Sequence, residues 1–165
     1  MSGPTLLPAE VEPTALLPHD PAQVRALIGR MEAALRQHPD AVCGDAALPV
    51  THTFADGCYI RELFVPKGTV YVGKIHRASH PRFLLQGAVL VVTEAGGREL
   101  CTAPSYLITP AGTKRCGLAL EDTVIVTVHV TQETDLAKIE AELIAPDYEA
   151  LALGQAAPLT LEEQL

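Results

Sequence analysis

Between residues 50 and 131, short apolar runs alternate with turn signals, and this alternation constrains the fold more than any other feature. Runs of strand length cover residues 58–65, 69–72, 88–93, 98–101 and 123–130. Turns between such runs are marked by Asp56-Gly57, Pro66-Lys67-Gly68 and Pro110-Ala111-Gly112. Short strands at this spacing are typical of sandwiches and barrels. The chain of 165 residues is therefore predicted to form one all-β domain.

Helices are predicted on both sides of the strand region. Asp20-Pro21 offers an N-cap followed by proline at the first helical position, and apolar residues recur at helical spacing as far as His38. Thr134-Asp135 can cap a second helix that Pro146 ends. The predicted organisation is an extended proline-rich arm, a single domain and a tail, at residues 1–20, 21–146 (helix 21–38, barrel 50–131, helix 135–145) and 147–165.

Two histidines, His76 and His80, lie four residues apart between the strand runs 69–72 and 88–93. On a continuous strand they would share a face but lie roughly 13 Å apart along it. Shared ligation therefore requires a bend between them, which Pro81 can accommodate. Neutral imidazoles brought together in this way are suitable ligands for a borderline metal ion. The alternative is a pair of surface or hydrogen-bonded histidines.

The segment that contains these histidines resembles the first sequence motif of the cupins, which are small β-barrels of the jelly-roll type. That motif runs His-x-His, three residues, Glu, six residues, Gly. The same frame is occupied here by Lys74, His76, His80 and Gly87. The resemblance implies that Lys74 replaces the first histidine ligand and that His80 replaces the glutamate.

The second cupin motif runs Gly, five residues, Pro-x-Gly, two residues, His. Its spacing is matched by Pro104, Pro110-Ala111-Gly112 and Arg115, so that Arg115 replaces the last histidine ligand. The order of segments is also similar to that of small cupin-like proteins of phages and bacteria. The resemblance covers roughly residues 50 to 130 and implies a cupin-type jelly-roll β-barrel with an N-terminal and a C-terminal helix.

A third imidazole is available on the apolar run 123–130. His129 shares a face with Thr123, Ile125 and Thr127, and in a jelly roll this strand lies next to the site. The predicted metal ligands are therefore His76, His80 and His129, with Fe, Mn, Ni or Zn as candidate ions. The alternative for His129 is a hydrogen-bonded core histidine.

Three charged residues are predicted to carry chemistry beside that metal. Glu62 lies among apolar neighbours and would suit general acid-base work if it faced the interior. The alternative is an edge-strand charge paired with Arg61 or Arg98. Lys74 can bind an anionic group or act as a base, with Glu62 as its natural partner. It can equally extend from the rim into water.

The third is Arg115, whose permanently charged guanidinium cannot ligate a cation but can bind a carboxylate or phosphate in bidentate fashion. A salt bridge from Arg115 to Glu62 or Asp122 is the alternative.

The function that follows from the resemblance is a metal-dependent enzyme with oxygenase, isomerase or lyase chemistry on a small anionic organic molecule. Two alternatives stay open: a non-catalytic module that binds or senses a small anionic ligand, and a structural, dimeric accessory protein.

Charge and hydropathy exclude other classes of partner. The net charge of −8 argues against nucleic acid and against an anionic membrane surface. The apolar runs are shorter than the ~20 residues that a membrane span needs, and no signal peptide is evident at the start. A cytoplasmic location is expected. Barrel edges, the arm and the tail favour a homodimer.

Overall fold

The computed structural model describes residues 20–41, 48–95 and 97–155. The predicted arm, apart from Asp20, and the last ten residues of the predicted tail (156–165) lie outside this range. In chain order the elements are α1 Pro21–Gln37, β1 Val50–Ala55, β2 Cys58–Val65, β3 Val70–Val72, β4 Ile75–His76, β5 His80–Gln86, β6 Ala88–Thr93, β7 Gly97–Thr102, β8 Ser105–Thr109, β9 Arg115–Ala119, β10 Thr123–Val130, α2 Leu136–Leu143, β11 Ile144–Ala145 and α3 Tyr148–Gln155.

The strands form two facing antiparallel sheets. One sheet has the order β1-β2-β10-β5-β8 and the other the order β3-β9-β6-β7, while β4 pairs with β11. A shared core lies between the sheets, with Leu84 and Ile125 contributed by the first and Val89 and Val91 by the second. Paired antiparallel sheets of this kind are the architecture of jelly rolls. The predicted all-β fold with flanking helices is confirmed.

Helix α1 covers the four-stranded sheet. The Asp20 carboxylate accepts a hydrogen bond from the backbone N–H of Ala22 at 2.9 Å, which caps the helix. Val24 and Ile28 are 2% and 1% exposed and pack against Cys116 of β9. Among the described residues, no helix has the length and apolar character needed to cross a membrane.

The C-terminal segment braces the strand that carries His76. Asp135 caps α2, but the helix ends at Leu143 and not at residue 145 as predicted. It ends early because Ile144 and Ala145 form β11, which pairs with His76 and Ile75 of β4. The tail predicted from residue 147 also differs, since residues 148–155 form α3. Leu151 of α3 is 9% exposed and packs with Ile75 and Ala145.

Gly87 allows the chain to pass from β5 to β6, and so from one sheet to the other. Its φ of 82° lies in the left-handed region. A Cβ atom at this position would lie 2.5 Å from the carbonyl oxygen of Asp122 and 2.6 Å from the hydroxyl of Thr123. Both the backbone conformation and the available space therefore require glycine at this junction.

We expect Gly87→Ala to destabilise the protein more than Gly68→Ala does. Gly68 has the same φ of 82°, but a Cβ atom there would meet nothing within 4 Å, so its substitution adds only the left-handed strain of about 1–2 kcal/mol. The collision at position 87 should add at least about 1 kcal/mol to that strain. Urea denaturation of the two variants measures the difference, and equal losses would contradict it.

Candidate metal centre

The structure brings the three predicted histidine ligands together between the sheets. The candidate ligand atoms of His76, His80 and His129 all lie within 4.8 Å of one another. The ring centroids are 4.2 Å apart for His76 and His80, 5.1 Å for His76 and His129, and 4.6 Å for His80 and His129. Each ring comes from a different strand, namely β4, β5 and β10.

Local chain geometry explains how residues 76 and 80 meet. Strand β4 ends at His76, and a bend over residues 77–79 precedes β5. This is the turn that shared ligation requires. Pro81 itself lies inside β5, opposite Ile108 of β8, and is not the bend.

Aromatic packing holds the rings of His76 and His129 in place. The two rings are stacked with an interplanar angle of 7°. Tyr59, which is 5% exposed, also stacks on His129, with ring centroids 5.9 Å apart, and its hydroxyl forms a 2.8 Å hydrogen bond with His52. Within the described ranges, the ring nitrogens of His76 and His129 form no hydrogen bond with a protein group. Their ring nitrogens are thus available to a ligand.

The third ring is held differently, because Nδ1 of His80 lies 3.3 Å from the carbonyl oxygen of Ala78. This hydrogen bond leaves Nε2 as the ring nitrogen available for ligation.

Burial keeps all three imidazoles neutral at physiological pH. Desolvation, followed by the neighbouring histidines, lowers the pKa of His76 to about 3. Desolvation and the nearby His80 lower the pKa of His129 to about 4. The pKa of His80 is also lowered, mainly by desolvation. Neutral imidazole is the form that binds metal ions.

The histidines open into a cavity of about 840 Å³ between the sheets. Strand register arranges its wall in rows, because β10 pairs with β2 on one side and β5 on the other. His129 lies opposite Tyr59. The next inward residue, Thr127, lies opposite Arg61 of β2 and Arg82 of β5. Alternate residues on a strand are about 7 Å apart, so a row of cationic residues follows directly after the histidines.

Behind the cationic row, the wall is apolar. Ile125 lies opposite Leu63 of β2 and Leu84 of β5. Along this wall, imidazoles, guanidinium groups and apolar side chains therefore follow one another.

Of the three predicted catalytic residues, only Arg115 has its charged group buried within the cavity. Its Nη2 atom donates to the Thr109 hydroxyl at 2.8 Å. Glu62 is exposed, while Arg61 and Leu63 on either side of it line the cavity. The prediction that Glu62 faces the interior is wrong because alternation places the odd-numbered residues of β2 inside.

Lys74 lies at the rim of the cavity. Its ammonium pairs with Glu140 of α2 at 2.7 Å, and the two side chains are 41% and 57% exposed. The suggestion that Glu62 is its partner is therefore wrong. The alternative of a lysine that reaches out from the rim matches the structure.

Sequence reasoning missed Arg82, which is 4% exposed. It lies two residues after His80 on β5 and so shares the face of that histidine. That spacing was the signal available in the sequence. In the part of the chain that the structure describes, neither Arg82 nor Arg115 forms an ion pair with a carboxylate.

Desolvation, with Arg82 next, lowers the pKa of Arg115 to about 10. Arg115 therefore remains charged at neutral pH. Glu99 lies near enough to act on Arg115, but among the described residues neither cationic side chain is ion-paired with a carboxylate.

Comparison with known proteins gives matches to solved structures alone, since no family model and no curated protein matches the chain. It is similar to KdgF from Halomonas sp., with 18% identity, a TM-score of 0.44, and coverage of 53% of this chain and 81% of that one. A cupin superfamily protein from Desulfitobacterium hafniense gives 10% identity, a TM-score of 0.44, and coverage of 54% and 82%.

An acetylacetone dioxygenase from Acinetobacter johnsonii gives 17% identity, a TM-score of 0.42, and coverage of 49% of this chain and 58% of that one. These matches cover about half of this chain, and each TM-score is below 0.5. Likeness at this level concerns the arrangement of strands and says nothing about activity.

The depressed histidine pKa values predict that the metal-free protein loses stability in acid. Between pH 6.5 and about 4 the unfolded chain binds protons at these histidines and the folded chain does not, so stability falls as pH falls. For each histidine that stays neutral in the fold, the free energy of unfolding should be about 2 kcal/mol lower at pH 5 than at pH 7.5.

Urea denaturation at the two pH values should show that His76→Gln loses about 2 kcal/mol less than the wild type on acidification. His38→Gln, which alters an exposed histidine, is the control and should lose as much as the wild type. Identical acid sensitivity in all three proteins would contradict the assignment.

Proposed function

We propose that the protein is a metal-dependent enzyme of the cupin type that acts on a small anionic organic molecule. His76, His80 and His129 would hold one divalent transition metal ion, and the substrate would occupy the adjoining cavity. The observation that carries this proposal is the convergence of three neutral, largely buried imidazoles on a cavity that also holds two guanidinium groups without an anionic partner.

The donor set suits a borderline metal ion. Imidazole nitrogen binds Zn, Fe and Ni readily, at about 2.0–2.1 Å in the case of Zn. With candidate ligand atoms within 4.8 Å of one another, small side-chain rotations suffice to direct all three at one ion. Three protein ligands leave coordination positions open. When bound, the metal would supply a Lewis acid or a redox centre, and Fe, Mn, Ni and Zn are all candidates.

The protein's own residues would bind and orient the substrate. Arg115, fixed by Thr109, would hold an anionic group of the substrate through its remaining N–H donors. Ile125 and Leu63, on the apolar row, would exclude water from the far end of the cavity. Oxygenase, isomerase and lyase reactions all remain compatible with this arrangement, because the fold does not select among them.

A second candidate is a module that binds or senses a small anion without catalysis. The observation that favours it is the outward position of Glu62, which leaves the cavity without the carboxylate expected as a general base. Protein reconstituted separately with Fe, Mn, Ni or Zn can be incubated with small carboxylic acids. Turnover that His76→Ala abolishes supports the enzyme, whereas binding without turnover supports the module.

We expect metal-stripped protein to bind about one equivalent of Zn²⁺ or Ni²⁺. Removing one of three imidazoles in His76→Ala should weaken binding by about a hundredfold or more. His38→Ala removes an imidazole that is 46% exposed and lies outside the three-histidine cluster, and it should bind as the wild type does. Titration calorimetry with elemental analysis measures both affinity and stoichiometry, and unchanged binding by His76→Ala would refute the proposed site.

The homodimer stays a prediction, and the outer face of the five-stranded sheet is the surface we propose for it. Leu85, Tyr106 and Ile108 on this face are 54%, 74% and 58% exposed. Strand β8 is also an edge strand of that sheet. An apolar face beside an open edge suits burial against a second copy.

Ile108→Lys should convert the dimer to a monomer at low micromolar concentration, because an ammonium group buried in the interface would lack a partner. Leu100→Lys, on the other sheet with 59% exposure, is the matched control and should leave the dimer intact. Size-exclusion chromatography with light scattering reads the mass. A monomeric wild type, or a dimeric Ile108→Lys, would contradict this surface.

A further inference from the structure

We infer that Tyr71, Arg82 and Arg115 form a subsite for an oxyanion, so that the cavity is built for ligands that carry a carboxylate or phosphate group next to the histidines. This inference deepens the proposed function. Only the statement that the bound oxyanion belongs to a substrate rests on that function. The subsite itself follows from unpaired donors and unneutralised charge, which are independent of any metal.

The first observation is that two residues lining the cavity each carry a buried polar atom without a hydrogen-bond partner. The Nη2 atom of Arg82 and the hydroxyl of Tyr71 are inaccessible to solvent and have no protein hydrogen-bond partner among the described residues. Both residues line the cavity. A buried donor without a partner destabilises the fold, and a charged one does so more strongly. Such groups persist in a fold where a ligand satisfies them.

The second observation is the concentration of positive charge. Desolvation is the main cause that lowers the pKa of Arg115 to about 10, and Arg82 lies close enough to be the next. The described part of the chain supplies neither of them with an ion-paired carboxylate. Guanidinium groups present forked donors that match the oxygens of carboxylate and phosphate. An oxyanion would neutralise the pair and complete its hydrogen bonds.

The third observation is that the backbone is shaped to hold Tyr71 in this position. Tyr71 of β3 lies opposite Gly117 of β9. A Cβ atom at position 117 would lie 2.6 Å from the Tyr71 hydroxyl oxygen, so the ring crosses the strand where only glycine leaves room. Burial raises the pKa of Tyr71, and its hydroxyl therefore remains a proton donor. Arg82 and Arg115 both lie near enough to act on that hydroxyl.

The fourth observation is the anchoring of Arg115. Its Nη2 atom donates to Thr109, which is 1% exposed and lies opposite His80 in the register of β5 and β8. This hydrogen bond to a buried hydroxyl holds the guanidinium beside β8, the strand that pairs with the His80 strand β5. Its other donors stay available for a ligand.

Together these positions define the class of ligand. The cationic row follows the histidine row at about 7 Å along the same strands. A molecule that engages both must be short, with an oxyanion at one end and a further polar group within a few bonds. Uncharged molecules would leave the two guanidinium groups buried without an anion.

Titration of metal-free protein with sodium phosphate and with sodium malonate, at constant ionic strength, tests the subsite separately from the metal site. Protein passed over a chelating resin is used, so that failure here does not depend on whether a metal binds. Saturable thermal stabilisation by either anion supports an oxyanion subsite, and the preferred anion identifies the group as phosphate or carboxylate. The absence of stabilisation by both would overturn the inference.

Three variants locate the binding. Arg115→Gln and Arg82→Gln should each weaken binding of the preferred anion by about tenfold or more. This is the usual effect of losing a hydrogen bond to a charged group. Tyr71→Phe removes only the hydroxyl and should weaken binding of the anion by about two- to tenfold. Arg30→Gln removes an exposed arginine of α1 and should bind as the wild type does. Equal affinity in all four variants would place the anion elsewhere.

The melting temperature measured without anions distinguishes an arginine that binds a ligand from one that only stabilises the fold. Because Arg82 is buried without a counter-charge, Arg82→Gln should melt at the same temperature as the wild type or higher when no anion is present. A structural arginine would lower that temperature on removal. If Arg82→Gln does not fold, Tyr71→Phe still decides the question, because it removes an unpaired hydroxyl and leaves the ring in place.

Discussion

The pairing of β10 with both β2 and β5 is the constraint on which the rest of the structure depends. It fixes three strands in one register, so that imidazole, cationic and apolar residues form successive rows along the same wall. Because side chains alternate across a strand, a slip of one residue in β10 would turn His129 outward and expose the apolar row to water. The hydrophobic core and the polar site therefore specify the same register. Burial of Ile125 holds His129 in place.

A polar site inside a small sandwich carries a cost in stability, and the arrangement of the wall limits that cost. The imidazoles avoid the penalty of a buried charge by remaining neutral, since desolvation lowers their pKa values. The guanidinium groups cannot lose their charge in this way. Arg115 recovers part of its hydration through Thr109, whereas Arg82 keeps an unpaired nitrogen. Burial of apolar side chains along the wall and beneath α1 offsets the cost in stability of these unpaired groups.

Patterns between neighbouring residues could be predicted from the sequence, and contacts between distant ones could not. Alternation along β2 put Tyr59, Arg61 and Leu63 on one face, as found, yet the sequence could not say which face was the inner one, and Glu62 was assigned wrongly. The partner of Lys74, Glu140, lies 66 residues further along the chain. No local pattern connects two residues at that separation.

The site shows the same division. The resemblance to the cupin motifs placed His76 and His80 at ligand positions, and the jelly-roll strand order suggested His129 as the third. Arg82 was not among the predicted site residues. Alternation puts residues 80 and 82 on one face only where the chain is extended from residue 80 onwards, and the sequence did not fix the position of the bend. The bend at residues 77–79 leaves that alternation intact.

The departures from the cupin motif change the charge of the site. Where the resemblance expects a histidine ligand, the chain has Arg115, and His129 on β10 supplies the imidazole instead. Where it expects a glutamate, the chain has His80. The result is a ligand set without negative charge next to two cations, so a bound divalent metal would add to a positive charge that the protein leaves unneutralised. An oxyanion in the cavity would reduce that repulsion, and by thermodynamic linkage a metal would strengthen the binding of the oxyanion by the same factor. On the proposed function, metal and anionic ligand would therefore each strengthen the binding of the other in this cavity.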